Sequence, residues 1–224
     1  MAEPGPRTVI IVPVLARPHR VEPTLDSVSS ATTLPHRVLF VVTEEDEAER
    51  RALEQAHADH LVVARADISY PSKINRAYES TTEELLFLAA DDLAFHDGWL
   101  EAAQAMLGDA EVVGTNDLGN QRVVDGTHST HTLVTRAYCD RPGATADRRG
   151  TVLHEGYRHW FCDDELVGVA QHRGVYAHAH DSVVEHLHPY HGKAPRDETY
   201  RQGERRRNND RRIHQRRSRM WGVT

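Results

Sequence analysis

Apolar positions along the chain fall into short continuous runs separated by helical spacings, and their order predicts an alternating α/β architecture. Thr8 to Val14 is rich in β-branched residues and reads as a first buried strand, with Pro13 at its end because proline cannot donate to a central ladder. A helix follows on the spacing Val21, Leu25, Val28, with Pro23 tolerable only in its first turn. Val38 to Thr43 is a second buried strand, and the acidic run Glu44 to Glu47 opens a helix reaching about His57. His60 to Val63 is a third, short strand, and Lys73 to Ser80 is helical.

The run Leu85-Leu86-Phe87-Leu88-Ala89-Ala90 comes next and ends abruptly in Asp91-Asp92. A continuous apolar run this short marks a strand buried on both faces, as in the centre of a parallel sheet. Acids at the carboxyl end of such a strand stand where open α/β sheets bind ligands, and oxygen donors there suit a hard divalent cation. An Asp-Asp turn capping the next helix accounts for the same residues without any ligand. Gly98 to Leu107 is a further helix and Val112 to Gly114 a short strand.

Residues 115–160 hold few long apolar runs and many Asn, Asp, Gly, Thr and His, so they read as one irregular stretch that is functional rather than idle. Asp163 to Arg173 is a helix closed by Gly174, and Ser182 to His186 a last short strand. Strands alternating with helices in this way form βαβ units. The fold class is therefore α/β, a mostly parallel central sheet with flanking helices in a single domain, plus a basic C-terminal tail.

Charge sharpens the division between domain and tail. The net charge of −7 is uneven, because residues 201–224 hold nine Arg against Glu204 and Asp210. The other 200 residues carry 18 basic and 32 acidic side chains, a balance of −14. The expected organisation is a domain over residues 1–195 and an Arg-rich, partly helical tail over 196–224. Such a tail suits packing on the acidic body, an acidic partner surface, or nucleic acid. Cys139 and Cys162 alone make no disulfide framework, no apolar stretch spans a membrane, and the first residues lack a signal-peptide core, all of which point to a cytoplasmic setting.

Four features taken together resemble the family 2 glycosyltransferases of the GT-A (Rossmann-like) fold, over roughly residues 8 to 190. They are the first strand ending in Pro13 with Arg17 close behind, the pair Asp91-Asp92, the segment Asp97-Gly98-Trp99-Leu100, and Cys162-Asp163-Asp164-Glu165-Leu166 leading a helix to Arg173-Gly174. Three shorter stretches, Asn116-Asp117-Leu118, His128-Ser129-Thr130-His131 and His186-Leu187-His188-Pro189, resemble small glycosyltransferase-like proteins of actinobacterial phages.

The resemblance implies a metal-dependent, inverting transfer of a sugar from a nucleotide-sugar donor, UDP-linked first, to a hydroxyl on a protein, glycan or modified nucleobase. Asp92 would hold Mn2+ or Mg2+, with Asp91 on the ribose or a metal-bound water. A His near the end of the domain, His186 or His188 ahead of His191, would complete the metal site. Asp163, or Asp164 if the alignment shifts by one, would be the general base, with Cys162 in place of the family's usual Glu. Pro13, Leu15 and Arg17 would hold base and ribose, Glu44 would read the uracil edge, and Lys73, Asn75 and Arg76 would face the diphosphate. Asn116, Asp117, His128 and His131 would contact acceptor or donor sugar, and Tyr157, His159 and Trp160 would form an aromatic platform. A nucleotidyltransferase is the first alternative, although Leu15 to Arg20 contains no Gly for a phosphate loop. A sugar- or nucleic-acid-binding module without turnover is the second.

Overall fold

The structure, a computed structural model, describes residues 6–222. An eight-stranded sheet runs in the order β3-β2-β1-β4-β7-β6-β8-β5. Its first four strands in chain order are β1 (Thr8–Pro13), β2 (His36–Thr43), β3 (His60–Val63) and β4 (Leu85–Leu88). These pair in parallel, β3 on β2, β2 on β1 and β1 on β4. The remaining strands are β5 (Leu93–Phe95), β6 (Val112–Asn116), β7 (Thr132–Thr135) and β8 (Tyr176–His186).

Period-2 alternation explains why the central runs are apolar throughout. Ile10 and Val12 of β1 face the core shared with α1 (Val21–Ala31), α2 (Glu47–Gln55) and α4 (Trp99–Ala105). Val9 and Ile11 face the core shared with α3 (Tyr70–Ser80), α6 (Arg136–Asp140) and α7 (Cys162–His172). Both faces of the strand are covered, so both residue sets are buried. A short helix, α5 (Gln121–Val124), leads from β6 toward β7, and α8 (Glu198–Arg217) closes the chain.

Three features depart from the sequence-based expectation. The stretch 115–160 is not one irregular loop, because β7 forms inside it and inserts antiparallel between β4 and β6. Four residues flanked by His, Ser and Thr are too short a run for periodicity to flag. Leu93 to Phe95 likewise forms β5, antiparallel to β8. The last strand begins at Tyr176 rather than Ser182. It follows β6 as far as Ala179, shifts register so that Asn116 faces Val183, and then turns to pair with β5. This bend carries His186 back over the carboxyl end of β4.

The Arg-rich tail is a 20-residue helix lying on the body of the molecule. Arg217 near its end is buried and bridges Glu165 of α7 and Asp147. In its middle, buried Asp210 accepts the backbone amides of Arg158, His159 and Trp160 at 3.0–3.2 Å. Val223 and Thr224 of the tail lie outside the described residues.

Candidate functional site

The carboxyl ends of β1 and β4, the bend of β8, the start of α7 and the first half of α8 enclose a cavity of about 760 Å³. Asp91 and Asp92 stand at its floor, 7% and 4% exposed. Two adjacent buried carboxylates need compensation, and the fold supplies it from three side chains, Arg17, Tyr200 and His186. Arg17 Nη1 reaches Asp91 at 2.9 Å and Asp92 at 3.7 Å. Its Nε bonds Asp197, the N-cap of α8, at 2.8 Å. The guanidinium also lies over the Tyr200 ring, 4.0 Å from its centre. Tyr200 donates its hydroxyl to Asp92 Oδ2 at 2.7 Å, and His186 Nε2 lies 3.4 Å from the same oxygen.

This environment separates the two acids. Burial and the neighbouring Asp92 charge push Asp91 upward, and Arg17 only partly offsets them. Burial would also raise Asp92, but His186, the Tyr200 hydroxyl and Arg17 outweigh it and hold that carboxyl well below the usual range. Asp92 is thus the more readily ionised of the pair.

The loop after β1 is pinned from below by the start of α2. Asp46 accepts the amide of Ala16 at 2.7 Å, Glu49 accepts that of Arg17 at 2.7 Å, and Ala16 takes a positive φ of 53°. Lys73 is buried beneath this loop and donates to the Val14 carbonyl, and burial lowers its pKa to about 8. Pro13, Leu15, Arg17 and Lys73 all line the cavity. Asn75 and Arg76 do not. The Asn75 amide is consumed by the backbone of Val152 and Leu153 and by the Glu155 carboxylate, and Arg76 pairs with Glu79, Asp67 and Glu155 on the surface. Asn75, two residues after Lys73, points to the other side of α3, and Arg76, three residues on, is drawn out to those surface carboxylates. Glu44 is exposed and accepts the Arg65 amide, outside the cavity. Asn116 is also outside it, spanning to the His180 carbonyl.

The opposite wall is built on the first turn of α7. His128 Nε2 lies 3.3 Å from Asp163 Oδ2, and Arg122 pairs with Asp164 at 2.9 Å. Burial works against both charges of the His128–Asp163 pair. The contact outweighs burial on each side, raising the His128 pKa and, with the helix amides, lowering that of Asp163. Donor atoms of His128, Asp163 and Asp164 lie within 4.8 Å of one another, as do those of Asp117, His186 and His191. Asp117 is buried and accepts the amides of Gly119 and Asn120 and the Thr130 hydroxyl.

Trp160 lines the cavity with Arg207 stacked 5.0 Å from its ring centre, and His159 lines it too. Tyr157 is fully buried and bonds Glu165, so it belongs to the core instead. His188 also lines the cavity, but its Nδ1 accepts the Tyr190 amide at 3.1 Å. That places the proton of neutral His188 on Nε2 and leaves no lone pair for a metal. Sequence reasoning missed Tyr200 and Asp197. The available signal was an aromatic three residues after an N-cap Asp, inside an otherwise charged helix.

An Asp92 carboxylate beside the His186 imidazole is an oxygen and nitrogen donor set that suits Mn2+, so the residues present fit a divalent metal. Among the described residues no helix is long and apolar enough to cross a membrane.

No protein-family model and no curated protein matches the sequence. Solved structures do match. Glucosyl-3-phosphoglycerate synthase from Mycobacterium tuberculosis, in complex with Mn2+, UDP and glucosyl-3-phosphoglycerate, superposes with a TM-score of 0.64 at 12% identity, over 95% of this chain and 80% of that one. A mannosyltransferase from Pyrobaculum calidifontis, in complex with GDP-mannose and Mn2+, gives 0.60 at 16% identity over 80% of this chain. The chain spans only 56% of the mannosyltransferase. Sheet, crossovers and these superpositions agree that the chain has a GT-A glycosyltransferase-like fold.

Proposed function

We propose that this chain is a metal-dependent, inverting glycosyltransferase. It moves a sugar from a nucleoside-diphosphate sugar, UDP-linked first, to an acceptor hydroxyl. The observation that carries this reading is one cavity with the buried Asp91–Asp92 pair on its floor and Asp163 on the facing wall. Support comes from the structural neighbours, which were crystallised with Mn2+ and with UDP or GDP-mannose.

Asp92 and His186 would hold the metal, which when bound supplies Lewis-acid stabilisation of the departing diphosphate. The chain's own residues do the rest. The pinned loop of Pro13, Leu15 and Arg17 binds the nucleoside side, with buried Lys73 fixing its backbone. Arg17 pairs with Asp91 at 2.9 Å and reaches Asp92 at 3.7 Å, holding the acid pair in place. Asp163 is held as a carboxylate by His128 and is placed to take the acceptor proton as its oxygen attacks the anomeric carbon. Asp164 is tied to Arg122 and shapes the acceptor side. Trp160 and Arg207 offer an aromatic and cationic wall for the acceptor.

The test is release of nucleoside diphosphate from a panel of nucleotide sugars with Mn2+. Wild type releases it, Asp163→Asn loses about 10²–10⁴-fold as expected for removal of a general base, and Asp164→Asn loses less than tenfold. Equal loss in both variants, or no turnover of any donor, refutes the assignment.

A further inference from the structure

The His131 imidazole has one nitrogen occupied and one bare. Its Nδ1 lies 3.1 Å from the Leu88 carbonyl oxygen, at the end of β4 and three residues before Asp91. A carbonyl oxygen only accepts, so Nδ1 carries the hydrogen and Nε2 carries the lone pair. Nε2 is buried with no hydrogen-bond partner, and the whole residue is only 4% exposed. A buried polar atom left unpaired is costly, and native structures rarely keep one without a use for it. The ring lies edge-on to His186, with centroids 5.0 Å apart, and both imidazoles line the cavity with Asp92.

A backbone carbonyl that fixes one ring nitrogen, with the other left as a free donor, is the arrangement that prepares histidine for a metal. Nearby imidazoles differ. His188 has its lone pair engaged by the Tyr190 amide. His128 also has a bare buried nitrogen, Nδ1, but it sits on the far wall with Nε2 turned to Asp163, and His191 groups with His186 and Asp117 instead of Asp92.

We propose that His131 supplies a second nitrogen donor to the divalent cation held by Asp92 and His186, making the site selective for Mn2+ over Mg2+. This rests on the metal-dependent reading above. Imidazole donors favour the later first-row metals over Mg2+, so two of them separate the ions more than one does. The second imidazole of the centre then comes from the turn before β7 rather than from the segment after β8.

The experiment is pulsed electron paramagnetic resonance of Mn2+ bound to the full chain with UDP, alongside Mn2+ and Mg2+ titrations. Wild type shows couplings from two imidazole nitrogens, and His131→Gln shows one. His131→Gln weakens Mn2+ binding about tenfold or more while Mg2+ binding changes less than threefold, and His188→Gln leaves both within threefold. A single nitrogen coupling in wild type overturns the proposal without any variant having to fold. It is also overturned if His131→Gln keeps wild-type Mn2+ affinity while Asp92→Asn loses it, and in that case the metal site itself stands. Absence of Mn2+ binding by wild type removes both readings.

Discussion

Arg217 is the perturbation that tests how α8 is held over the site. Its guanidinium makes two bonds to Glu165, both 2.7 Å, and two more to Asp147 at 2.6 and 3.1 Å. The Arg217 and Glu165 side chains are 8% and 2% exposed, whereas that of Asp147 is 34% exposed. The burial difference decides which contact matters. The Asp147 contact is partly screened by water and contributes little. Arg217→Met, by contrast, leaves Glu165 as a buried anion with only the Tyr157 hydroxyl and the Ala146 amide as donors. Breaking a buried pair on one side costs about 3–5 kcal/mol, and the two surviving donors place this case near 3. For a chain of this size that lowers the melting temperature by roughly 6–12 °C. Glu165→Gln combined with Arg217→Met removes both charges and recovers most of the loss, so a double-mutant cycle reports strong coupling. Urea and thermal unfolding of the four proteins measure it. A loss below about 1 kcal/mol in Arg217→Met, or additive single losses, refutes the clamp. The same variant loosens the helix that carries Asp197 and Tyr200 to the acid pair, so nucleotide affinity falls along with stability.

Other outcomes follow from the same contacts. The His128–Asp163 pair makes stability depend on pH. His128 has a raised pKa, so its contribution is complete below the ordinary imidazole value of 6.5 and is lost as pH rises through the folded value. Asp163 has a lowered pKa, so its contribution is present above the ordinary 3.8 and is lost as pH falls through the folded value. The stability of wild type relative to His128→Gln therefore peaks between those limits, and an unfolding series with a pH-independent difference contradicts the pairing. Gly114→Ala in β6 destabilises by about 1–3 kcal/mol, because its Cβ would run into the Tyr176 hydroxyl and sit 2.7 Å from Ser129 Cβ. A denaturation midpoint equal to wild type contradicts that crowding.

Legibility in the sequence followed burial. β1, β2 and β4 are covered on both faces, so their continuous apolar runs announced them, and Asp91-Asp92 stood out as the abrupt end of one such run. Edge and inserted strands were hidden because β5 and β7 are three and four residues long and draw their burial from neighbours distant in sequence. Local motifs placed Asp91, Asp92, His186, Asp163, Arg17 and Lys73 around one cavity. Extending Lys73 to Asn75 and Arg76 failed because Asn75 lies on the other side of the helix, held by Val152 and Leu153, and Arg76 is drawn to surface carboxylates. Tyr200, Asp197 and the ring orientation of His131 were invisible for another reason. Each depends on a contact across 43 to 180 residues that no local pattern encodes.

In the proposed function Asp92 anchors a metal-bound nucleoside diphosphate. Calorimetric titration of UDP and GDP, each with and without Mn2+, into wild type and Asp92→Ala tests it most directly. Wild type is expected to bind at least one diphosphate only in the presence of Mn2+, and folded Asp92→Ala to bind none. Binding that ignores Mn2+, or that survives in Asp92→Ala, contradicts it.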